Sequence, residues 1–203
     1  MTTAKEALDR LKNGNQRFVN DELTEESHAS RRHSPSQAAP QEPFAIVLAC
    51  SDSRVPTEVI FDCGIGELFI IRVAGNIATP SQIGSIEYAA SQLGTPLVVV
   101  LGHSNCGAVA ATLAEMNGGD RLDSPNLRSI LDAVRPALVP VLKDHPGATD
   151  AEVIGPCIRA NVRAVADELP RNSKILSDRI EQGELTIVGA EYSIETGRVE
   201  FLD

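Results

Sequence analysis

Two short clusters in this 203-residue chain hold residue types that could act together chemically. Cys50-Ser-Asp52-Ser-Arg54 follows one apolar run, and His103-Ser-Asn-Cys106 follows another. Two thiolates and an imidazole form a borderline-soft donor set suited to Zn²⁺, and a carboxylate could fill a fourth tetrahedral position. Three protein donors with one exchangeable position make a catalytic zinc site, whereas four permanent donors make a structural one. Asp52 can serve either design. Arg54 can decide between them, because a bidentate arginine–carboxylate bond competes with the metal for the same oxygens. Taken singly, a cysteine is usually a small buried hydrophobe, and Asp-x-Arg a surface ion pair. The combination points to zinc because each cluster begins where an apolar run ends.

Those runs are the elements that must position the clusters. Phe44–Ala49, Leu68–Ile71 and Leu97–Leu101 are short, apolar on both faces and rich in β-branched residues, which suits buried parallel strands. Between the second and third, Ile83, Ile86, Ala90 and Leu93 recur at helical spacing, with Gly94 as the stop. Strand, helix and strand at this spacing form a βαβ unit, and ligands of such sheets sit outside the carboxyl ends of the strands. Beyond Cys106, Ala108–Ala114 reads as a small-residue helix. Helical patterns continue through 126–142 and 151–182, where Pro136, Pro140 and Pro170 should break them into pieces. Leu185–Val188 and Val199–Leu202, around the Glu195-Thr-Gly197 turn, suggest a hairpin at the sheet edge.

The chain opens with an amphipathic helix. Thr3 and Glu6 form a capping box, and Ala4, Ala7, Leu8, Leu11 and Phe18 share a face that Gly14 weakens. Residues 21–42 are polar and aperiodic and read as an exposed arm. A helix so isolated should pack on a second subunit. The expected fold is therefore α/β: a mostly parallel central sheet flanked by helices, with an N-terminal helical arm and a C-terminal edge hairpin. Residues 1–203 are expected to be a single domain, 1–40 being helix and arm.

A formal net charge of −10 argues against nucleic acid, which needs a basic face. The N-terminal stretch lacks the basic and apolar segments of a secretory leader, and no apolar run approaches the roughly 20 residues of a membrane helix. A cytoplasmic location is the resulting expectation. There, four cysteines serve as metal ligands, reactive thiols or core residues rather than disulfides. Cys63 and Cys157 read as buried thiols, and His28, His33 and His145 as solvated.

Ala49-Cys-Ser-Asp-Ser-Arg-Val55, Arg72-Val-Ala-Gly-Asn76, Gly84-Ser-Ile-Glu-Tyr88 and Gly102-His-Ser-Asn-Cys-Gly-Ala108 together resemble the beta-class carbonic anhydrases, in order and in spacing. The resemblance implies Cys50, His103 and Cys106 as zinc ligands, with Asp52 as exchangeable fourth ligand and partner of Arg54. It implies reversible hydration of carbon dioxide to bicarbonate and a proton. Gln41 matches the glutamine that hydrogen-bonds substrate in plant-type members. Phe69 and Tyr88 match aromatic pocket residues that reach in from the neighbouring subunit of a dimer or dimer of dimers. Val47 stands where the bacterial subgroup with a bicarbonate inhibition site carries tryptophan, which argues against that regulation here.

The chemistry agrees with this resemblance. Zinc lowers the pKa of bound water to about 7, a value that belongs to a carbonic anhydrase of the three-histidine type. Two thiolates donate more charge than imidazoles, so activity should climb only above about pH 7.5. Phe69 and Val73 could give carbon dioxide apolar walls, and Gln41 a donor for the developing bicarbonate. Two other functions compete: a hydrolase of a related heteroallene such as carbon disulfide, and a non-enzymatic zinc-binding structural or sensor protein. Arg54 and Gln41 speak against the last, since a closed site needs neither.

Overall fold

A computed structural model of the chain describes residues 2–24, 38, 40–120 and 122–202. Helix α1 (Ala4–Val19) starts as its capping box requires: the Glu6 N–H donates to Thr3 Oγ1 at 3.2 Å, and the Glu6 carboxylate accepts from the Thr3 N–H at 2.8 Å. The polar arm falls largely on 25–37 and 39, outside the described residues, as do His28 and His33.

Strands β1 (Ala45–Ala49), β2 (Leu68–Arg72), β3 (Leu97–His103), β4 (Thr186–Tyr192) and β5 (Val199–Leu202) form one sheet in the order β2-β1-β3-β4-β5. All pairings are parallel except β4 with β5, the antiparallel edge hairpin. The two innermost apolar runs, β1 and β3, are buried along their whole length. Strand β4 is longer than its apolar stretch suggested, because Gly189–Tyr192 pairs with the end of β3.

One sheet face, carrying Val47, Val99 and Leu101, is covered by α1 and by the short helix α2 (Thr57–Ile60). The other, carrying Ile46, Leu48, Val98 and Val100, packs against α3 (Pro80–Gln92), α6 (Asp150–Asn172) and α7 (Lys174–Glu181). Helices α4 (Gly107–Met116) and α5 (Pro125–Asp144) close a third cluster beside Cys50 and Cys106. Gly94, at φ +69°, ends α3 in the left-handed conformation that favours glycine.

Two expectations need correction. Pro136 and Pro140 lie inside an unbroken α5, and Pro156 and Pro170 inside α6; the break falls at Ser173 instead. In α5 both prolines are exposed, so the carbonyls that lose a helical partner can turn to water. Helix α1 does not need a second subunit to bury its stripe either: Ala7 and Leu11 are fully buried against the chain's own sheet.

Gly14 makes that docking possible rather than merely weakening the helix. A Cβ there would lie 1.9 Å from the carbonyl oxygen of Phe61, which is backbone and cannot swing aside. Asn15, next along, donates to the carbonyls of Ile60 at 3.2 Å and Gly197 at 2.8 Å. Gly14→Ala is therefore expected to lift α1 off α2 and cost about 2–3 kcal/mol or more. Thermal unfolding checks this; an unchanged Tm would mean that the helix is not seated so closely.

Candidate active site

The parallel register of β1 and β3 sets Ala49 beside Leu101, so the residues that follow emerge at the same sheet end. Cys50 leaves β1, His103 is the last residue of β3, and Cys106 is the N-cap of α4. Their donor atoms all lie within 4.8 Å of one another, and all three residues are buried.

The neighbourhood prepares these atoms to hold a metal. His103 Nδ1 is 2.9 Å from the carbonyl oxygen of Ser104, to which its N–H donates, leaving Nε2 as the ring's free donor atom. That Nε2 is buried with no hydrogen-bond partner in the protein, a costly state that a cation would relieve. The Gly75 N–H donates to Cys50 Sγ at 3.4 Å. Gly75 has φ +74° and sits against Ala108 and Val134, so a side chain there would be both strained and crowded.

Charge is arranged to match. Cys50 is held well below the ordinary thiol range, chiefly because the Cys106 thiol donates to it, and Cys106 is correspondingly raised. A divalent cation between them would favour both as thiolates. Burial alone would lower His103, but its contact with the Cys50 sulfur outweighs that and raises it.

Beside this cluster, Arg54 grips Asp52 with a two-pronged bond: Nε donates to Oδ1 at 3.0 Å and Nη2 to Oδ2 at 2.8 Å. The Arg54 backbone N–H adds a third bond to Oδ1 at 2.9 Å. The guanidinium holds the Asp52 carboxyl far below the usual carboxylate range. Both carboxylate oxygens are thus occupied by Arg54, and Asp52 stands outside the Cys–His–Cys cluster.

A family profile described as carbonic anhydrase matches residues 45–199. The chain belongs to the beta carbonic anhydrases. It is 38% identical over 193 residues to carbonic anhydrase 2 of Mycobacterium tuberculosis, covering 95% of this chain and 90% of that one. A carbonic anhydrase of Pseudomonas aeruginosa is 38% identical over 174 residues, covering 83% and 77%. Among solved structures, a tetrameric beta-carbonic anhydrase of Sordaria macrospora superposes with a TM-score of 0.75 at 25% identity, covering 94% and 93%. A beta-carbonic anhydrase of Aspergillus fumigatus gives a TM-score of 0.77 at 25% identity, covering 98% and 90%.

This carbonic anhydrase, a lyase, brings together only part of the residue set that its sequence suggested. Val73 is close by, its N–H donating to Ala49 O at 3.1 Å. Phe69 and Tyr88 meet each other with ring centroids 6.3 Å apart, but at the sheet edge, Phe69 level with Ile46 in mid-strand. Gln41 is exposed before β1, so the whole strand separates it from Cys50. Cys63 and Cys157 are buried outside the donor group, Cys157 within the apolar cluster that also holds Cys50 and Cys106; Cys63 donates to Phe61 O, and burial pushes it up to about 12. His145 is exposed at the end of α5.

Sequence reading gave no role to Arg72, whose guanidinium donates to the carbonyls of Cys50, at 2.9 Å, and Asp52. It thereby fixes the loop between the first cysteine and the aspartate. Asn161 was also missed; it reaches from α6 to the Gly75 carbonyl at 2.9 Å, bracing the residue that donates to Cys50. The Arg72–Asn76 motif pointed at this region, but nothing local marked Asn161.

Proposed function

We propose that this carbonic anhydrase binds one zinc ion through Cys50, His103 and Cys106 and hydrates carbon dioxide reversibly: CO₂ + H₂O ⇌ HCO₃⁻ + H⁺. The observation that carries the reading is the unpartnered Nε2 of buried His103, facing two thiols in a donor set that suits zinc. When bound, zinc would supply a Lewis acid that brings the ionisation of water into the neutral range. Asp52 accepts a hydrogen bond from the attacking water and orients its lone pair toward carbon dioxide. Arg54 keeps Asp52 ionised and directed away from the metal, which favours a catalytic over a closed structural site. Val73 supplies an apolar wall.

Gln41, Phe69 and Tyr88 complete the pocket in this reading by approaching from a second chain, as they stand apart from their own chain's cluster. The 203 residues act as one domain of a plant-type member, placed in the cytoplasm. Among the described residues no helix is long and apolar enough to cross a membrane. Neither nucleic acid nor a membrane enters the reading. The assembly is a dimer or dimer of dimers, so light scattering should find multiples of 21.6 kDa. A fully active monomer would overturn this arrangement.

Stopped-flow measurement of carbon dioxide hydration across pH tests the activity. Asp52 is depressed and Arg54 raised, so neither titrates between about pH 5 and pH 10. The rate should be low at mildly acidic pH and climb above about pH 7.5, reporting the ionisation of water. No hydration at any pH would refute the proposal.

A further inference from the structure

We propose that Glu195, on the turn between β4 and β5, is a positioning residue that clamps the Ser104–Asn105 turn separating His103 from Cys106. The inference rests on the zinc reading above. His103 ends β3 and Cys106 begins α4, so the spacing of their donor atoms is set by the two residues between them. Neither of those residues belongs to the buried core: Ser104 is half-buried and Asn105 exposed. Asn105 has φ +58°, in the left-handed region that asparagine enters more readily than other non-glycine residues. Cys106 caps α4 without a side-chain hydrogen bond, leaving its thiol available to a metal.

Glu195 supplies what holds this turn. One carboxylate oxygen accepts from the Ser104 hydroxyl at 2.7 Å, and the other from Asn105 Nδ2 at 2.6 Å. The Ser104 hydroxyl accepts in turn from the Ile194 N–H at 2.9 Å, and the Ser104 N–H donates to Tyr192 O at 2.9 Å. The carbonyl of that same Ser104 orients the His103 ring through Nδ1. Glu195 and the imidazole are therefore linked through Ser104, which is hydrogen-bonded to one by its hydroxyl and to the other by its carbonyl. Arg54 also feels this carboxylate: Asp52 chiefly, and Glu195 more weakly, raise its guanidinium. A bond made directly to a metal ligand typically matters about 10–100-fold in metal affinity or activity, and Glu195 acts one residue further out, through Ser104.

The test compares zinc release to a chromogenic chelator from zinc-loaded wild type, Glu195→Ala, Glu195→Gln and Glu200→Ala. Glu200 is an exposed acid on the same hairpin, paired with Arg159 rather than with the turn. Glu195→Ala should release zinc faster than wild type by up to about 10-fold, the lower end of the range for direct partners of a metal ligand. Glu195→Gln should fall between, since its amide oxygen can still accept from one partner. Glu200→Ala should match wild type. The metal-free forms of Glu195→Ala and Glu200→Ala should melt together, because the clamp acts on ligand geometry rather than on the core. Wild-type release from Glu195→Ala would overturn the assignment, and so would a metal-free Glu195→Ala that melts far below Glu200→Ala. A wild-type protein that takes up no zinc would overturn the metal reading as well, which separates the two failures.

Discussion

Cys106→Ala is expected to leave the chain folded, reduce zinc from near one per chain to less than about a tenth, and abolish carbon dioxide hydration. The Cys106 sulfur is one of three donors within 4.8 Å, and no alternative cluster of metal-binding groups exists among the described residues. Cys63 lies in a different core cluster, and Cys157, although it shares the apolar cluster of Cys50 and Cys106, is not among the grouped donor atoms. Loss of the sulfur from the third core cluster costs only about 1 kcal/mol of packing, while the strands that carry Cys50 and His103 are untouched. Circular dichroism and elemental analysis of the same sample separate the two effects. A folded variant that keeps its zinc would remove Cys106 from the site.

Arg54→Ala should behave in the opposite way, keeping zinc but losing hydration about 10–100-fold or more at every pH. In the wild type Arg54 occupies both oxygens of Asp52. Without the guanidinium, that carboxylate is free to take the metal position that water needs, two residues from Cys50. Arg54→Lys should recover little, since an ammonium cannot form the planar two-pronged bond. The sign for acid stability follows from the depressed folded pKa of Asp52. Its contribution is complete above the unfolded value, about 3.9, and is lost as pH falls through the folded one. Arg54→Ala removes that contribution, so the variant should lose relative stability near neutral pH and converge with wild type in strong acid. Near-wild-type hydration rates in Arg54→Ala would reduce the pair to a structural ion pair.

Much of the catalytic end was legible because of how parallel sheets are built. Apolar runs bounded β1 and β3, and Cys50, His103 and Cys106 come directly after or at their ends, where adjacent parallel strands bring distant residues together. The prolines misled because their cost depends on which helix face meets water, and a one-dimensional pattern does not show what covers each face. Helix α1 was read as too isolated for the same reason: its stripe was read correctly, but the sheet face that receives it is assembled from β1, β3 and β4. Arg72 stood in a recognised motif and Glu195 in a predicted turn, but neither carried a local sign of its role. They act through backbone carbonyls and a turn 20 to 91 residues away in sequence, contacts that only the folded chain reveals.

The central claim is that one zinc, held by this Cys–His–Cys cluster, is required for hydration. Stepwise addition of zinc to metal-stripped protein, with the hydration rate read by stopped flow at pH about 8.5, where water should be ionised, tests it most directly. Activity should be absent without metal, rise linearly, and stop rising at one zinc per chain. Hydration that survives complete removal of the metal, or full zinc uptake that restores no hydration, would contradict the account.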